Sequence, residues 1–293
     1  MEQGMIQKAL SGFYYVKTEE HGLLECKAKG IFRKEGRSPL VGDRVAVENG
    51  VVAEIFPRKN EILRPPVANI DLAVMVVSAT QPEPNLLILD KLIAVCEWKK
   101  IEPVLVFTKS DLADCREIRE LYAKAGFSVF TSVPGQTDYR ELLECMKDKL
   151  SVFIGNSGVG KSTLMNSLLP GLHLATAQIS EKLGRGRHTT RHVELYELPQ
   201  GGFVADTPGF SSVEMDKYGN IRPEELPGCF REFSEYLGQC RFQDCSHRVE
   251  KGCAVLEAVR EGRISKSRHE SYCQMAEDAG KIKEWERKEE RRR

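Results

Sequence analysis

Hydrophobic and polar positions follow three different patterns along the chain. From about Gly12 to Arg64, short runs alternate apolar and polar residues, with Gly, Asn and Pro turn signals between them. Such alternation is typical of the half-buried strands of a small all-β unit. The glycine-punctuated strands occupy too little chain for a sandwich and fit a five-stranded barrel of the oligonucleotide-binding (OB) type. We expect this barrel over residues 1–65, with the proline-rich segment Arg64–Asn69 as the linker that ends it.

Strand-like runs rich in Val and Ile then alternate with helix-like runs. The strand-like runs include IDLAVMVVSA, PVLVFTK, FSVFTS and SVFIG, and the helix-like runs include LLILDKLIAVCEW, CREIRELYAKAG and YRELLECMKDKL. This alternation predicts right-handed βαβ units, in which helices cover a mostly parallel sheet. The pattern continues through a helix after Lys161 and strands near Val193–Leu198 and Gly202–Ala205. We expect this α/β domain over residues 66–217.

The strand signal fades beyond roughly Tyr218. Three segments there fit helices around a cluster of Cys and His residues: Leu226–Leu237, Ala254–Glu261 and Ser265–Arg293. We expect a helical C-terminal domain over residues 218–293. The predicted fold class is therefore multidomain α/β, with an N-terminal barrel, a central mostly parallel sheet and a helical C-terminal domain.

Composition places the chain among folded, water-soluble proteins. It has 293 residues, of which 41% are hydrophobic and 29% are charged, which is ordinary for a globular protein. Apolar runs such as Leu72–Val77 are too short to cross a bilayer, and the N-terminus lacks a basic segment followed by an apolar one. We expect a cytoplasmic monomer with no membrane partner. Five of the nine cysteines are scattered between Cys26 and Cys229, so we interpret most as reduced core thiols.

The formal net charge is zero, which argues against a nucleic-acid partner because phosphate binding draws on excess Lys and Arg. The distribution of charge favours such a partner only locally. Basic residues concentrate in Gly184–Arg191 and in the tail Lys281–Arg293, although the tail alternates signs and also fits a solvated helix.

A phosphate-binding loop is predicted where GNSGVGKS follows the strand-like run SVFI and opens a helical stretch. Its glycines allow backbone N–H groups to converge on phosphates, and the helix N-terminus adds positive potential. Lys161 would reach the β- and γ-phosphates, and the Ser162 hydroxyl would ligate Mg²⁺. The alternative is a chance glycine-rich turn. The predicted GTP-binding residues here are Gly155, Asn156, Ser157, Gly158, Val159, Gly160, Lys161, Ser162 and Thr163.

Two later segments complete the predicted magnesium site. In FVADTPGF, Asp206 ends an apolar strand, where it can hold Mg²⁺ through water, and Gly209 can donate its N–H to a γ-phosphate. In the loop GRGRHTTR, the hydroxyl of Thr190, which we favour over Thr189, can complete the coordination when GTP is bound. D-x-P-G alone also fits a simple turn. The basic loop also fits an RNA contact, which is compatible with the first interpretation.

Guanine recognition is predicted at TKSD, after the strand-like run PVLVF. The motif comprises Thr108, Lys109, Ser110 and Asp111. It resembles the Asn-Lys-x-Asp element of GTPases, with Thr in place of Asn. A buried Asp111 carboxylate would pair with N1–H and the exocyclic amine of guanine, whereas adenine presents an acceptor at the first position, so ATP should be rejected. The alternative is an aspartate that caps a helix.

The order of these motifs is permuted. In ordinary GTPases the phosphate loop comes first and the guanine elements last, but here TKSD comes before it, as does TSV, which resembles the second guanine loop. In TSV the backbone of Ser132 and Val133 would contact the base. Joining the old termini and opening a surface loop preserves the site, because domain termini often lie close together. DTPG now leads directly into the C-terminal domain, so we hypothesise that γ-phosphate sensing at Gly209 is transmitted there.

The sequence lacks the usual group that orients the attacking water. The residue after DTPG is Phe210, where Ras-like enzymes carry a glutamine for this purpose. His188 is the nearest candidate, because imidazole can accept a proton near neutral pH. The alternative is a contact between His188 and RNA phosphate. The predicted catalytic residues are His188, Thr190 and Lys161.

A metal site is predicted in the C-terminal domain. Cys240, Cys245, His247 and Cys253 form C-x4-C-x-H-x5-C, a set of three thiolates and one imidazole that suits tetrahedral Zn²⁺. Four protein ligands leave no open position, so we expect a structural zinc. The surrounding segment has little apparent apolar surface of its own, so metal would be needed to fold it. A catalytic metal and unrelated reduced cysteines are the alternatives.

The combination of motifs resembles the RsgA family, also called YjeQ or YloQ, which are bacterial GTPases of small-ribosomal-subunit maturation. The resemblance rests on the permuted order, GRGRHTT, DTPG before an apolar residue, the barrel and the Cys/His cluster, and it spans nearly the whole chain. It implies an OB barrel, a permuted GTPase domain, a zinc domain, binding to small-subunit ribosomal RNA, and GTP hydrolysis stimulated by that subunit. It also implies a catalytic role for His188, and Thr108 is a familiar variant in that family.

Three rival functions are left open by the sequence. A P-loop ATP-dependent kinase or nucleic-acid motor would have no use for TKSD. A non-hydrolysing, GTP-dependent RNA-binding switch is suggested by Phe210 and the basic loop. A zinc enzyme is disfavoured by the closed ligand set.

Overall fold

The structure, a computed structural model of the chain, describes residues 1–34, 36–63, 66–169, 193–206 and 221–290. A closed barrel is joined edge to edge with an open α/β sheet, and a mostly helical C-terminal unit packs against a helix of that sheet. Within these ranges no helix is long and apolar enough to span a bilayer.

The N-terminal barrel has five strands. They are β1 (Glu2–Leu10), β2 (Phe13–Thr18), β3 (Gly22–Ala28), β4 (Arg44–Glu48) and β5 (Val51–Ile55), with the short helix α1 (Gly30–Lys34) after β3. The strands pair in the order β1-β2-β3-β5-β4, and β4 pairs back with β1, which closes the barrel. Ile6, Val16, Val45 and Val52 are fully buried in its core. The predicted OB-type barrel is confirmed.

The proline-rich linker is partly a strand. Strand β6 (Glu61–Leu63) pairs with β7 (Pro66–Ala68) in a hairpin. Just before this hairpin, Arg58 donates from Nε and Nη2 to the fully buried carboxylate of Asp43, at 2.7 Å for each bond. A buried charge requires such a partner, so this ion pair fixes how the chain leaves the barrel.

The central sheet is mostly parallel, as predicted. It contains β8 (Leu72–Ser78), β9 (Glu102–Thr108), β10 (Ser128–Ser132), β11 (Leu150–Ile154), β12 (Glu194–Glu197) and β13 (Phe203–Asp206). Their spatial order is β10-β9-β8-β11-β13-β12, and only β12 among these six runs antiparallel to its neighbour in the sheet. The helices that follow β8, β9, β10 and β11 are α2 (Leu86–Trp98), α3 (Arg116–Lys124), α4 (Arg140–Met146) and α5 (Lys161–Leu168).

Helices cover both faces of this sheet. Leu72, Val74 and Val76 of β8 belong to the apolar cluster that contains α4 and α5, whereas Ala73 and Met75 belong to the cluster that contains α2 and α3. Successive side chains of a strand point to opposite faces. The chain therefore leaves the neighbouring strands β8 and β11 towards opposite faces. In open α/β sheets, ligands bind in the crevice outside the carboxyl ends of such a pair.

Strand β1 connects the barrel to the central sheet. It pairs with β12 at Lys8 opposite Glu194, and the Lys8 ammonium lies 3.0 Å from the Glu194 carboxylate. Strand β1 lies before Gly12, where the expected strands begin. Only Ile6 within β1 is buried, so apolar and polar residues do not alternate clearly there.

The C-terminal unit differs from the expectation in one element. The prediction of a helix over Leu226–Leu237 is wrong, because the segment contains two 3-10 turns, Leu226–Cys229 and Arg231–Phe233. Pro227 removes a backbone donor and Gly228 disfavours a continued helix. The other two expected helices are present as α6 (Ala254–Arg260) and α7 (Lys266–Glu290).

The C-terminal unit also has an apolar core, contrary to the expectation that it has little apolar surface. Phe230, Phe233 and Tyr272 are each at most 1% exposed. Their ring centroids lie 5.0 to 5.3 Å apart, within the range of favourable aromatic pairs. Metal is therefore not the only interaction that organises this unit.

A buried ionic cluster joins the C-terminal unit to the central domain. Arg268 of α7, 1% exposed, donates from Nη1 to Asp90 of α2 and from Nε to Glu232, at 2.7 Å in both cases. The Tyr122 hydroxyl of α3 donates to the same Asp90 oxygen at 2.8 Å. Burial raises the pKa of Asp90, and the Arg268 charge opposes that rise by favouring the carboxylate.

Candidate nucleotide and metal sites

The phosphate loop lies between β11 and α5, as its motif requires. A Cβ atom on Gly155 would approach the carbonyl oxygen of Val76 to 2.5 Å, so this position next to β8 admits only glycine. Gly158 and Gly160 have φ angles of +80° and +97°, which glycine adopts without strain. The ammonium of Lys161 lies over the loop and donates to two of its carbonyl oxygens, that of Gly155 at 2.5 Å among them.

The first guanine element contacts this loop directly. Thr108, at the end of β9 and 5% exposed, donates its hydroxyl to the carbonyl oxygen of Val159 at 2.6 Å, across 51 residues of chain. Lys109 donates from Nζ to the carbonyl oxygen of Gly158 at 2.9 Å and also to that of Gln81. Two motifs far apart in sequence therefore meet at the carboxyl ends of β8, β9 and β11.

The second guanine loop is adjacent to the first. Ser132, at the end of β10, lies opposite Thr108 in the parallel register. Its hydroxyl oxygen is 2.8 Å from that of Tyr139, and the N–H of Val133 donates to the Thr137 hydroxyl at 2.7 Å. The pairing of β10 with β9 brings TSV beside TKSD, and the sequence predicts that both segments contact one base.

Asp111 is exposed at this edge of the sheet. It borders a depression that is also lined by Thr131 and Arg119. The predicted rejection of ATP requires a buried Asp111 carboxylate, but the protein alone does not bury it. Burial of this carboxylate would have to come from the base that covers it.

Several predicted site residues fall outside the residues that the structure describes. They are His188, Thr189, Thr190, Gly209 and Phe210. Asp206 ends β13, which pairs with β11, although its side chain is likewise outside the described part. Ser162 and Thr163 are half-buried in the first turn of α5. The functions of all these residues stay predictions.

The four predicted metal ligands converge on one point. The ligand atoms of Cys240, Cys245, His247 and Cys253 all lie within 4.8 Å of one another. The Sγ atoms of Cys240 and Cys253 are 3.8 Å apart, and each lies 3.5 Å from Nδ1 of His247. A tetrahedron with zinc's usual bond lengths has edges of about 3.8 Å between sulfurs and about 3.5 Å between sulfur and nitrogen. The donor set fits Zn²⁺.

The surroundings of these ligands favour a bound cation. Burial raises the pKa of Cys245 to about 12 and also raises the pKa of Cys253, so thiolates there need a nearby positive charge. Burial lowers the pKa of His247, which favours the neutral imidazole that ligates metals. The N–H of Ala254 points at Cys240 Sγ, 3.4 Å away, and such donors further stabilise a thiolate.

Glu250 was not predicted from the sequence, yet it holds the loop between the ligands. Its carboxylate accepts hydrogen bonds from the N–H groups of Ser246, Arg248 and Val249. Burial raises the pKa of Glu250, but the hydroxyl of Ser246 and the backbone N–H groups of Ser246, Glu250 and Val249 outweigh that effect and lower the pKa to about 2. Its position between two ligands was the only signal, and a surface glutamate would look the same in sequence.

Comparisons with known proteins agree with this fold. The family model described as RsgA GTPase matches residues 55–216, and the RsgA N-terminal domain matches residues 3–51. The small ribosomal subunit biogenesis GTPase RsgA of Caldanaerobacter subterraneus is 46% identical to this chain over 99% of this chain and 98% of its own length.

Two solved structures share the fold over nearly the full length. The crystal structure of YjeQ from Thermotoga maritima is 36% identical, with a TM-score of 0.80 over 95% of this chain and 98% of that one. The structure of YloQ, described as a circularly permuted GTPase, is 38% identical, with a TM-score of 0.78 over 96% of each chain.

The strand order and the joined nucleotide motifs define a circularly permuted P-loop GTPase. The strands can be renumbered from β11, which precedes the phosphate loop, so that β11 to β13 become 1 to 3 and β8 to β10 become 4 to 6. The spatial order of the sheet is then 6-5-4-1-3-2. The two halves of the nucleotide site therefore meet in space although their order in the chain is exchanged. With both family models and relatives above 40% identity, the chain belongs to the RsgA GTPase family.

Proposed function

We propose that this chain hydrolyses GTP to GDP and phosphate during late maturation of the small ribosomal subunit. In this proposal it binds the ribosomal RNA of that subunit, and the subunit stimulates hydrolysis. The hydrogen bond from Thr108 to Val159 is the observation that supports the nucleotide part, because it joins the TKSD segment to the glycine-rich loop. The ribosomal part is supported by relatives named as small ribosomal subunit biogenesis GTPases.

The nucleotide would lie along the carboxyl ends of the central strands. Its base would cover Asp111, whose carboxylate accepts N1–H and the exocyclic amine of guanine, while Ser132 and Val133 contact the base from the other side. Lys161, whose ammonium now lies over the loop carbonyls, would turn to the β- and γ-phosphates. The remaining residues from Gly155 to Thr163 would contribute backbone N–H groups and the helix N-terminus.

Mg²⁺ would be held by the Ser162 hydroxyl, by Thr190 and, through water, by Asp206. When bound, the ion neutralises charge on the phosphates. The chain positions support this proposal, since Ser162 lies in the first turn of α5 and Asp206 ends β13, the strand that pairs with β11. Gly209 would donate its N–H to the γ-phosphate.

His188 would position the attacking water. Replacement by alanine should reduce turnover by at least about a hundredfold, the lower end of what general acid–base groups contribute. GTP affinity should stay near that of the unmodified protein, because the imidazole acts on water and not on the base. Unchanged turnover in His188→Ala would exclude the role.

One structural zinc is proposed at Cys240, Cys245, His247 and Cys253. The zinc would fix the loop between Cys240 and Cys253. Arg268 fastens the C-terminal unit to α2 through its bond to Asp90. We propose three domains: the barrel over residues 1–65, the GTPase domain over 66–217 and the zinc domain over 218–293. The closed OB-type barrel is a common scaffold for binding nucleic acid.

The test is GTP turnover with and without purified small ribosomal subunits, with ATP as a parallel substrate. Strong activation by the small subunit, absent with the large subunit and absent with ATP, is the expected result. Slow turnover with every ribosomal particle would instead favour a GTP-dependent RNA-binding switch that hardly hydrolyses. Equal use of ATP would contradict the assignment of TKSD.

A further inference from the structure

We propose that Thr137 and Tyr139 are positioning residues for guanine recognition. Both follow the second guanine loop, between β10 and α4, and neither has a role in the motifs above. The Thr137 hydroxyl holds the backbone N–H of Val133, and the Tyr139 hydroxyl holds the side chain of Ser132. The base would rest on these two loop residues. The inference depends on the proposed GTP site and adds two residues to it.

Thr137 closes the turn that follows the loop by a reciprocal pair of bonds. The N–H of Val133 donates to the Thr137 hydroxyl at 2.7 Å, and the N–H of Thr137 donates to the carbonyl oxygen of Val133 at 3.0 Å. The N–H of Gln136 donates to the same carbonyl oxygen at 3.1 Å. Pro134, Gly135 and Gln136 within the turn are exposed, so these bonds, more than packing, hold it.

Tyr139 fixes the other loop residue from the N-terminus of α4. Its hydroxyl lies 2.8 Å from that of Ser132, which is 2% exposed. The Tyr139 ring packs against the apolar cluster formed by α4, α5 and the sheet. Ser132 in turn lies opposite Thr108. The Tyr139 hydroxyl therefore ties the second guanine loop to α4, and the pairing of β10 with β9 aligns that loop with TKSD.

A turn that is already held in shape has less conformational entropy to lose when the base binds. The hydroxyl groups of Thr137 and Tyr139 act through Ser132 and Val133. Their hydrogen bonds go to these loop residues and not to the phosphate loop. Their removal should therefore weaken the base contribution to affinity and leave the phosphate contribution and the chemical step unchanged.

The experiment compares two substitutions that remove a hydroxyl at constant shape, Thr137→Val and Tyr139→Phe. Equilibrium affinities are measured for GDP, for GTP and for magnesium tripolyphosphate, which lacks a base, together with kcat and KM for GTP. Thr137→Ser tests rescue. Thr18→Val is the matched control, because the Thr18 hydroxyl also holds a turn, by donating to Gly22 and accepting from the His21 N–H, but in the barrel.

The expected result is a rise in Kd for GDP and GTP of about three- to tenfold in each variant, the range that one neutral hydrogen bond supports. The KM for GTP rises with it, while kcat and tripolyphosphate affinity change less than about twofold. Thr137→Ser restores affinity, and Thr18→Val leaves it unchanged.

Unchanged GTP and GDP affinities in both variants would overturn the inference. Equal losses for GTP and tripolyphosphate would overturn it too, since they indicate a general structural defect. The proposed function fails in a different way, by equal affinity of the unmodified protein for ATP and GTP. A protein that selects guanine but ignores both substitutions would refute only the roles of Thr137 and Tyr139.

Discussion

Individual side chains fasten two distant motifs into one nucleotide site. Thr108 stands where GTPases usually carry asparagine, and its hydroxyl reaches the phosphate loop by a bond of 2.6 Å. Lys109 reaches the next loop residue, Gly158. Both donors bond backbone carbonyls, so they fix the shape of the loop whatever its side chains are. The two bonds show how a permuted chain still brings TKSD and the glycine-rich loop together.

Asp111→Asn should shift the nucleotide preference from guanine to xanthine. The carboxylate accepts two N–H groups from guanine, whereas the amide offers a donor that suits the C2 carbonyl of xanthine. We expect GTP affinity to fall by at least about tenfold and XTP affinity to rise, as measured by nucleotide titration. Asp114→Asn is the control, because Asp114 is an exposed neighbour already paired with Arg116. Equal GTP affinity in Asp111→Asn would refute the guanine role.

Helix α2 connects the nucleotide site to the C-terminal unit. Its N-terminus follows the segment in which the Gln81 carbonyl accepts a hydrogen bond from Lys109. Its middle carries Asp90, which pairs with Arg268, and near its end Glu97 pairs with Arg231 at 2.5 Å. Movement of the loop that precedes α2 can therefore reach the C-terminal unit through packed and bonded groups.

Arg268→Met should destabilise the protein by about 3–5 kcal/mol, because it leaves Asp90 and Glu232 buried without their cation. Chemical denaturation of each variant measures this change. Arg260→Met is the matched control: Arg260 pairs with Glu257, but both side chains are more than half exposed, and exposed pairs contribute at most about 1 kcal/mol. Similar losses in the two variants would contradict the assignment of Arg268 as the buried bridge.

Metal removal tests the Cys/His site. Freshly purified protein should contain one equivalent of zinc by mass spectrometry, and less than about half an equivalent would count against the site. After chelation, hydrogen exchange should accelerate between Cys240 and Cys253, because the loop loses its four-point anchor. Exchange in β8, β9 and β11 should change little, since these strands are held by their own backbone pairing in the central sheet and carry none of the four ligands.

The sequence predicted the central elements because long runs of buried Val, Ile and Leu leave a clear period. Strand β1 escaped detection, since only Ile6 in it is buried. The expected helix over Leu226–Leu237 is wrong because Pro227 and Gly228 interrupt that segment. At the site, motif spacing singled out two segments, the glycine-rich loop and TKSD, that the structure brings into contact. Partners such as Arg268 and Asp90 could not be found, because charged residues resemble surface positions until the fold brings them together.

Across the full chain, the nucleotide domain is attached to both flanking units. Strand β1 of the barrel pairs with β12, and α2 bonds with α7. DTPG also leads into the C-terminal unit by chain connectivity. We therefore expect hydrogen exchange in α7 to differ between GTP-bound and GDP-bound protein. Identical protection beyond Tyr218 in the two states would remove the basis for transmission to this unit.

The most direct test of the central claim is a crystal structure with a non-hydrolysable GTP analogue and Mg²⁺. We expect one nucleotide, with its base against Thr108–Asp111 and its phosphates within Gly155–Ser162. A base located away from the Thr108–Asp111 turn, with phosphates still in the glycine loop, would contradict it.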